Sequence, residues 1–316
     1  MAEAKIVILG VGGLGCAALE HLGQFVLQGN VRTVAASTSA AELRAASAEH
    51  KVLLGFELAG GEGCGGNSEL AREATMLSKQ DLLETLADTD LVLMIAGMGG
   101  GHGLGAAPAI TTMLAELKIP VLAFVATPFN FEGKRRNQLS EQGIAALLQT
   151  GCAVVVLPND QLSAALGAGF SLQQAFSAIH QVLYQLLCAL LEMLSELGLI
   201  NLDFNDFVQV ISHNGLAVVG IADIAAEDSI PMILQRLLNN PLIKCQSVHS
   251  AQAALLHLAA DNTFKLEQFE ATGSYLAQQI PSANLILQGL TLRSDSARRG
   301  SVLLLACGIR HHQPLC

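Results

Sequence analysis

Short aliphatic runs recur through the first half of the chain, each closed by glycines or polar clusters, at residues 5–10, 31–36, 91–96, 121–126 and 154–157. Runs of four to six apolar residues without polar alternation suit strands buried on both faces. Segments with helical spacing lie between and beside them and predict helices over 16–27, 69–86, 110–117 and 141–150. Strand and helix in this alternation predict a parallel sheet covered on both sides, a Rossmann-like α/β domain. Residues 172–197 are apolar almost all round and contain no breaker, which predicts one long buried helix. Beyond it the pattern is irregular, with turn signals at Asn239-Asn240-Pro241, Asp261-Asn262 and Ile280-Pro281-Ser282, and it closes on an apolar strand over 301–309. The expected organisation is a first domain over 1–170, a central helix over 171–200 and a smaller α+β domain over 201–316, with the boundary around residue 200.

Composition narrows the classes. With 316 residues, 51% hydrophobic and 14% charged, the chain can bury one large core or two medium ones and is not disordered. Tryptophan is absent and aromatics are 4%, so base stacking is not its main business. Residues 1–206 carry 10 Lys and Arg against 20 Asp and Glu, and residues 207–316 carry 7 against 7. An acidic half does not attract a nucleic-acid backbone, so no nucleic-acid partner is expected. Cysteines 16, 64, 152, 188, 245, 307 and 316 include no Cys-x-x-Cys pair, which suits reduced thiols and argues against zinc. No signal pattern opens the chain and no segment is expected to span a membrane, so a cytoplasmic protein is expected. His311-His312 reads as tail.

Two glycine loops carry the candidate chemistry. Gly97-Met-Gly-Gly-Gly-His-Gly-Leu-Gly-Ala-Ala-Pro108 follows an apolar strand directly. Glycines keep side chains away and expose backbone amides, and a following helix N-terminus favours an anion, so the loop reads as a phosphate cradle. No Gly-Lys-Ser/Thr follows, so it is not a P-loop. The earlier loop, Gly10-Val-Gly-Gly-Leu-Gly15, also fits the dinucleotide fingerprint Gly-x-Gly-x-x-Gly. That reading needs a carboxylate at the tip of the second strand, where this chain has Ala35-Ala36-Ser37-Thr38-Ser39. A nicotinamide oxidoreductase therefore remains the weakest of the alternatives.

The sequence resembles the tubulin/FtsZ superfamily over most of residues 5–310, most closely before 220. The resemblance rests on several motifs in order. They are the first glycine loop and its helix down to Glu20-His21, the segment 37–44, the loop 61–67 and the Gly-Gly-Gly-x-Gly-x-Gly signature. Pro-Phe-Asn-Phe-Glu-Gly-Lys-Arg-Arg (128–136), Leu-Pro-Asn-Asp-Gln-Leu (157–162) and Gly-Leu-Ile-Asn-Leu-Asp-Phe-Asn-Asp (198–206) complete it. The resemblance implies a GTP- and GDP-binding, filament-forming cytoskeletal protein of cell division. It implies phosphate contacts from Gly12, Gly13, Leu14, Gly15, Gly99, Gly100, Gly101, His102, Gly103, Leu104 and Gly105. Glu132 and Arg136 would hold the ribose and phosphate region, Asn159 the guanine edge, and Phe176 would pack on the base beside His180. Asn201, Asp203 and Asp206 would enter the next subunit's pocket and place the attacking water, so that hydrolysis needs head-to-tail stacking. The plainer alternatives are a solvated charged turn at 132–136, a helix cap at Asp203 or Asp206, and a satisfied helix histidine at His180.

Departures from the family pattern gather in the expected pocket. Leu14, Cys16 and Ala17 intrude on the first loop. His102 and Leu104 stand where the family has threonines, removing two hydroxyl donors. His180 stands where the family has Asp or Asn, and a neutral imidazole accepts only one of guanine's two donors. Ser37 and Ser39 replace Asn and Asp, leaving Mg²⁺ to phosphates and water. The chain stops at Cys316, without the family's linker and partner-binding peptide, so no direct membrane recruitment by that route is expected. These features suit a divergent bacterial paralogue with weakened turnover. The alternative is a degenerate, nucleotide-independent structural filament or a modulator of another FtsZ.

Overall fold

The computed structural model describes residues 3–166, 171–224, 228–244, 248–293 and 300–310. Cys245, Cys316 and His311-His312 lie outside them. The chain divides into two compact units, Met1–Tyr184 and Gln185–Cys316.

The first unit runs β1 (Ile6–Val11), α1 (Gly12–Leu22), β2 (Val31–Ser37), α2 (Ala40–Ala45), β3 (His50–Leu53) and α3 (Phe56–Ala59). It continues with α4 (Ser68–Leu77), α5 (Lys79–Thr85), β4 (Leu91–Gly97), α6 (Ala107–Glu116), β5 (Val121–Thr127), α7 (Lys134–Gln149), β6 (Ala153–Pro158) and α8 (Asn159–Leu166). The strands are ordered β3-β2-β1-β4-β5-β6, and every pair is parallel. Val7, Ile8 and Leu9 on β1, all of Leu91–Ala96 on β4 and Leu122–Val125 on β5 are wholly buried. The unbroken aliphatic runs are therefore central strands sandwiched by helices, as their pattern predicts.

Helix boundaries depart from the pattern for local reasons. The first helix starts at Gly12, inside the expected glycine turn, and ends at Leu22 with Gly23 as its cap. The segment 69–86 is two helices, because Ser78 leaves helical geometry and its hydroxyl accepts the Gly55 N–H at 2.9 Å. Helix α7 starts seven residues before the predicted position, since Gly133 at φ +100° turns the chain sharply enough to begin it there. Between Gly101 and α6, residues His102–Ala106 form a π-helical turn that the pattern does not reveal.

Helix α9 (Leu172–Ser195) holds the division between the units, at Tyr184 and Gln185, where the sequence places the boundary near 200. By length and composition it could cross a membrane, against the expectation that no segment would. Ile179, Leu183, Leu187, Leu190 and Leu191 are almost fully buried, but Leu172 and Phe176 in its first turns are exposed, so the helix is buried along one face and not throughout its length as the pattern predicts. The second unit continues with α10 (Phe204–Ile211), β7 (Gly215–Asp223), α11 (Ile230–Leu238), α12 (Pro241–Lys244), β8 (Ala253–Asp261), α13 (Leu266–Gln279), β9 (Leu285–Arg293) and β10 (Gly300–Ile309). Here β10 lies between β7 and β8, antiparallel to both, and β9 runs parallel to β8. This is the expected α+β unit.

Candidate functional site

Parallel strands direct all their carboxyl ends to one edge, and the connection order reverses between β1 and β4. Such a switch point opens a crevice. A cleft of about 890 Å³ lies there, entirely within the first unit. Its walls include Val11 at the end of β1, Gly97 at the end of β4, Thr127 at the end of β5 and Asn159 just after β6.

Most of the residues expected there are present. Gly13, Leu14, Gly99, Gly100, Gly101, His102, Glu132, Arg136, Asn159, Phe176 and His180 all line the cleft. Gly12, Gly15, Gly103, Leu104 and Gly105 do not. Gly15 packs helix on sheet: a Cβ there would stand 2.6 Å from the Ile95 carbonyl oxygen. Gly103 and Gly105 are buried against the backbone of Gly97 and of Ser68. Gly12, at φ +68°, leaves room for the imidazole of His102, whose Cβ and Cγ a methyl group would meet at 2.7 Å. Gly12 and Gly15 serve the cradle by close packing, and the π-helical turn sets Gly103 and Gly105 into the protein behind it, while Leu104 on the same turn is half-buried outside the cleft wall.

His102 links the two glycine loops. Its Nε2 accepts the Thr38 N–H at 3.1 Å and lies 3.0 Å from the Thr38 hydroxyl, while its Nδ1 faces Cys64 Sγ at 3.6 Å. Glu42 is a site residue that sequence reasoning missed. Its Oε2 accepts the Ser37 hydroxyl at 2.5 Å, and its Oε1 is 2.9 Å from where a Cβ on Gly13 would lie. The loss of an acid at Ser37 and Ser39 is thus answered by a carboxylate from α2. The sequence signal for it is Ser39-x-x-Glu42, a helix-start spacing that by itself points only to a cap. Ser39 does cap α2, accepting the Glu42 N–H.

At the other end Glu132 accepts the Phe129 N–H at 2.9 Å and pairs with Arg136, so both charges are structurally engaged as well as facing the cleft. Phe176, 41% exposed, meets Phe129 edge to face with ring centres 5.2 Å apart. Burial, reinforced by neighbouring His21, pushes the His180 imidazole below its ordinary value, so it faces the cleft neutral. Asn159 is 3% exposed, and its Oδ1 has no hydrogen-bond partner.

The three acidic-loop residues belong to the second unit. Asp203 caps α10: its Oδ1 accepts the Asp206 N–H at 2.8 Å, and Asp206 Oδ2 accepts the Asp203 N–H at 3.1 Å. The capping alternative is therefore realised in full, with one oxygen of each carboxylate engaged. Asn201 Oδ1 accepts the Gly198 N–H at 3.3 Å. Among the described residues no cluster of His, Cys, Asp and Glu is built to hold a metal ion.

Residues 5–167 match the model of the Tubulin/FtsZ family, GTPase domain. A relative named cell division protein FtsZ 1, from Thermococcus kodakarensis, is 31% identical over 97% of this chain and 81% of its own length. Cell division protein FtsZ of Buchnera aphidicola is 33% identical over 97% of this chain and 80% of its own. Among solved structures, an FtsZ dimer from M. jannaschii, described as empty, superposes with a TM-score of 0.86 at 31% identity, covering 97% of this chain and 89% of that one.

Proposed function

The chain belongs to the Tubulin/FtsZ family, and from that premise we propose that it binds a guanine nucleotide in the cleft of its first unit and assembles head to tail. The observation that carries this reading is the bare Asn159 Oδ1. A buried amide oxygen without a donor costs about 1–3 kcal/mol, which a ligand N–H would recover. Guanine carries such donors on its Watson–Crick edge. Phe176, which lines the same cleft, would supply an aromatic ring to the base. The phosphates would lie along Gly13 and Gly99–Gly101, where little but backbone meets them, with Mg²⁺ held through the phosphates and water.

Several features weaken that fit. Glu42 sets a carboxylate beside Gly13, where it repels a phosphate. Leu14 and His102 occupy the wall without offering a hydroxyl, and a neutral His180 accepts one guanine donor instead of two. Nucleotide affinity is therefore reduced and strongly dependent on Mg²⁺, whose charge offsets Glu42. Asp203, Asp206 and Asn201 of one molecule would complete the next molecule's cleft, positioning water and balancing charge. The same features also favour a second reading, a filament or modulator of another FtsZ that needs no nucleotide.

Isothermal titration with GTP, GDP and ATP, with and without Mg²⁺, separates the two. Binding selective for guanine and dependent on Mg²⁺ is expected, and absence of heat with every nucleotide would leave only the second reading. Pelleting with and without GTP tests assembly, and a strictly monomeric protein at high concentration would contradict both. If turnover is measured, Asp206→Asn should remove it while preserving the hydrogen bond to Asp203 and nucleotide binding.

A further inference from the structure

Cys64 lies where the loop 61–67 meets the signature loop, on the wall of the cleft. A Cβ on Gly101 would stand 2.6 Å from its sulfur, so the thiol rests directly on the phosphate cradle. The geometry of His102 fixes what that sulfur sees. The Thr38 backbone N–H can only donate, and it points at Nε2. The neutral ring therefore carries its proton on Nδ1, the nitrogen facing Cys64 Sγ at 3.6 Å. The sulfur is thus offered a donor, a contact that favours the thiolate over the thiol. Although Cys64 is 6% exposed, the cleft beside it is open: a Cβ on Gly65, Gly66 or Gly100 would meet nothing within 4 Å.

We propose that Cys64 is a nucleophilic thiolate, activated by His102, and the site at which small hydroperoxides modify this protein. The thiolate sulfur attacks one peroxide oxygen. An S–O bond forms to the terminal oxygen, the O–O bond breaks, and the departing hydroxide or alkoxide takes the electron pair and, through solvent, the proton the thiol released on ionising, leaving as water or alcohol. Cysteine is oxidised by two electrons to sulfenic acid, and the peroxide is reduced to the alcohol, or to water from hydrogen peroxide. Burial works to raise the Cys64 thiol, but hydrogen bonds from His102, the Gly66 backbone and Thr38 bring it below its ordinary value. Burial raises the thiols of Cys152 and Cys307 instead. A further consequence rests on the functional reading above: an oxidised sulfur against Gly101 and a nucleotide phosphate exclude each other.

Hydrogen peroxide with dimedone as the trap, followed by peptide mass spectrometry on the whole chain, tests this. Adduct should form on Cys64 at least tenfold faster than on Cys152 or Cys307. His102→Phe, which keeps a ring against Gly12 and removes Nδ1–H, should slow Cys64 severalfold, because a smaller share of the sulfur is then thiolate. Equal rates at the three cysteines overturn the proposal. So does an unchanged Cys64 rate in a folded His102→Phe variant. If that variant does not fold, the wild-type ratio and Thr38→Val, which removes only the hydroxyl partner, decide. Mg²⁺–GTP in excess should suppress Cys64 labelling. GTP that binds by calorimetry without suppressing it overturns the exclusion. No calorimetric binding overturns the nucleotide reading and the exclusion together, leaving the thiol's reactivity to be judged from labelling alone.

Discussion

Replacing Asp203 separates a structural role from a chemical one. Its Oδ1 satisfies the Asp206 N–H at 2.8 Å, a helix amide with no intrahelical partner, and its charge stands at the positive end of α10. Asp203→Ala removes both. Loss of an N-cap acceptor costs about 1 kcal/mol and loss of the end charge about 0.5 kcal/mol, so roughly 1.5 kcal/mol is expected. The return bond from the Asp203 N–H to Asp206 survives, because it uses the backbone. Asp203→Ser keeps a hydroxyl acceptor and should recover most of the loss. At roughly 2–4 °C per kcal/mol, thermal unfolding should fall by about 3–6 °C for Ala and by about 1–2 °C for Ser. Urea midpoints measured beside the thermal scans check the size. A wild-type midpoint in Asp203→Ala would refute the idea that this box holds the helix start. If Asp203 also acts in hydrolysis, the Ser variant should lose turnover while keeping stability, an outcome a pure cap cannot produce.

Other expectations follow from single sites. Burial drives the His257 imidazole down to about 4. The unfolded chain takes up that proton near pH 6.5 and the folded one resists it, so stability should fall as the pH drops from about 6.5 towards 4. The loss between pH 7 and 5 is on the order of 2 kcal/mol. His257→Phe should flatten this limb in urea titrations, and an unchanged slope would contradict it. Phe207 is fully buried on α10, and Phe207→Ala should cost about 3–5 kcal/mol, read from the urea midpoint. Glu42→Gln removes the charge beside Gly13 while keeping an acceptor for Ser37. It should tighten Mg²⁺-free GTP binding severalfold by calorimetry, and equal or weaker binding would show that Glu42 does not repel the phosphates.

The sequence displays most of the framework because the framework depends on local pattern. The aliphatic runs at 6–11 and 91–97 are strands because nothing polar interrupts them, and the glycines beside them mark the cleft. What it hides depends on distant residues arriving at one place. Ser78 breaks a helix to bond Gly55, 23 residues away. Glu42 and Cys64 enter the cleft only because α2 and the loop 61–67 fold back over β1 and the signature loop. Gly103 and Gly105 share the spacing of Gly99 and Gly101, yet the π-helical turn directs them inward. Asp203 and Asp206 carry the opposite lesson: one spacing suits a cap and a catalytic pair equally, and the hydrogen bonds reveal the first without deciding the second.

The position of β1 also bears on synthesis. It leaves the ribosome before the other described strands, yet it sits mid-sheet, paired with β2 on one side and β4 on the other. The first neighbour is complete by Ser37 and the second only at Gly97. At about 5–20 residues per second, those 60 residues leave one apolar edge of the nascent sheet unpaired for roughly 3–12 s. A chaperone that shields short aliphatic stretches has its greatest effect in that interval.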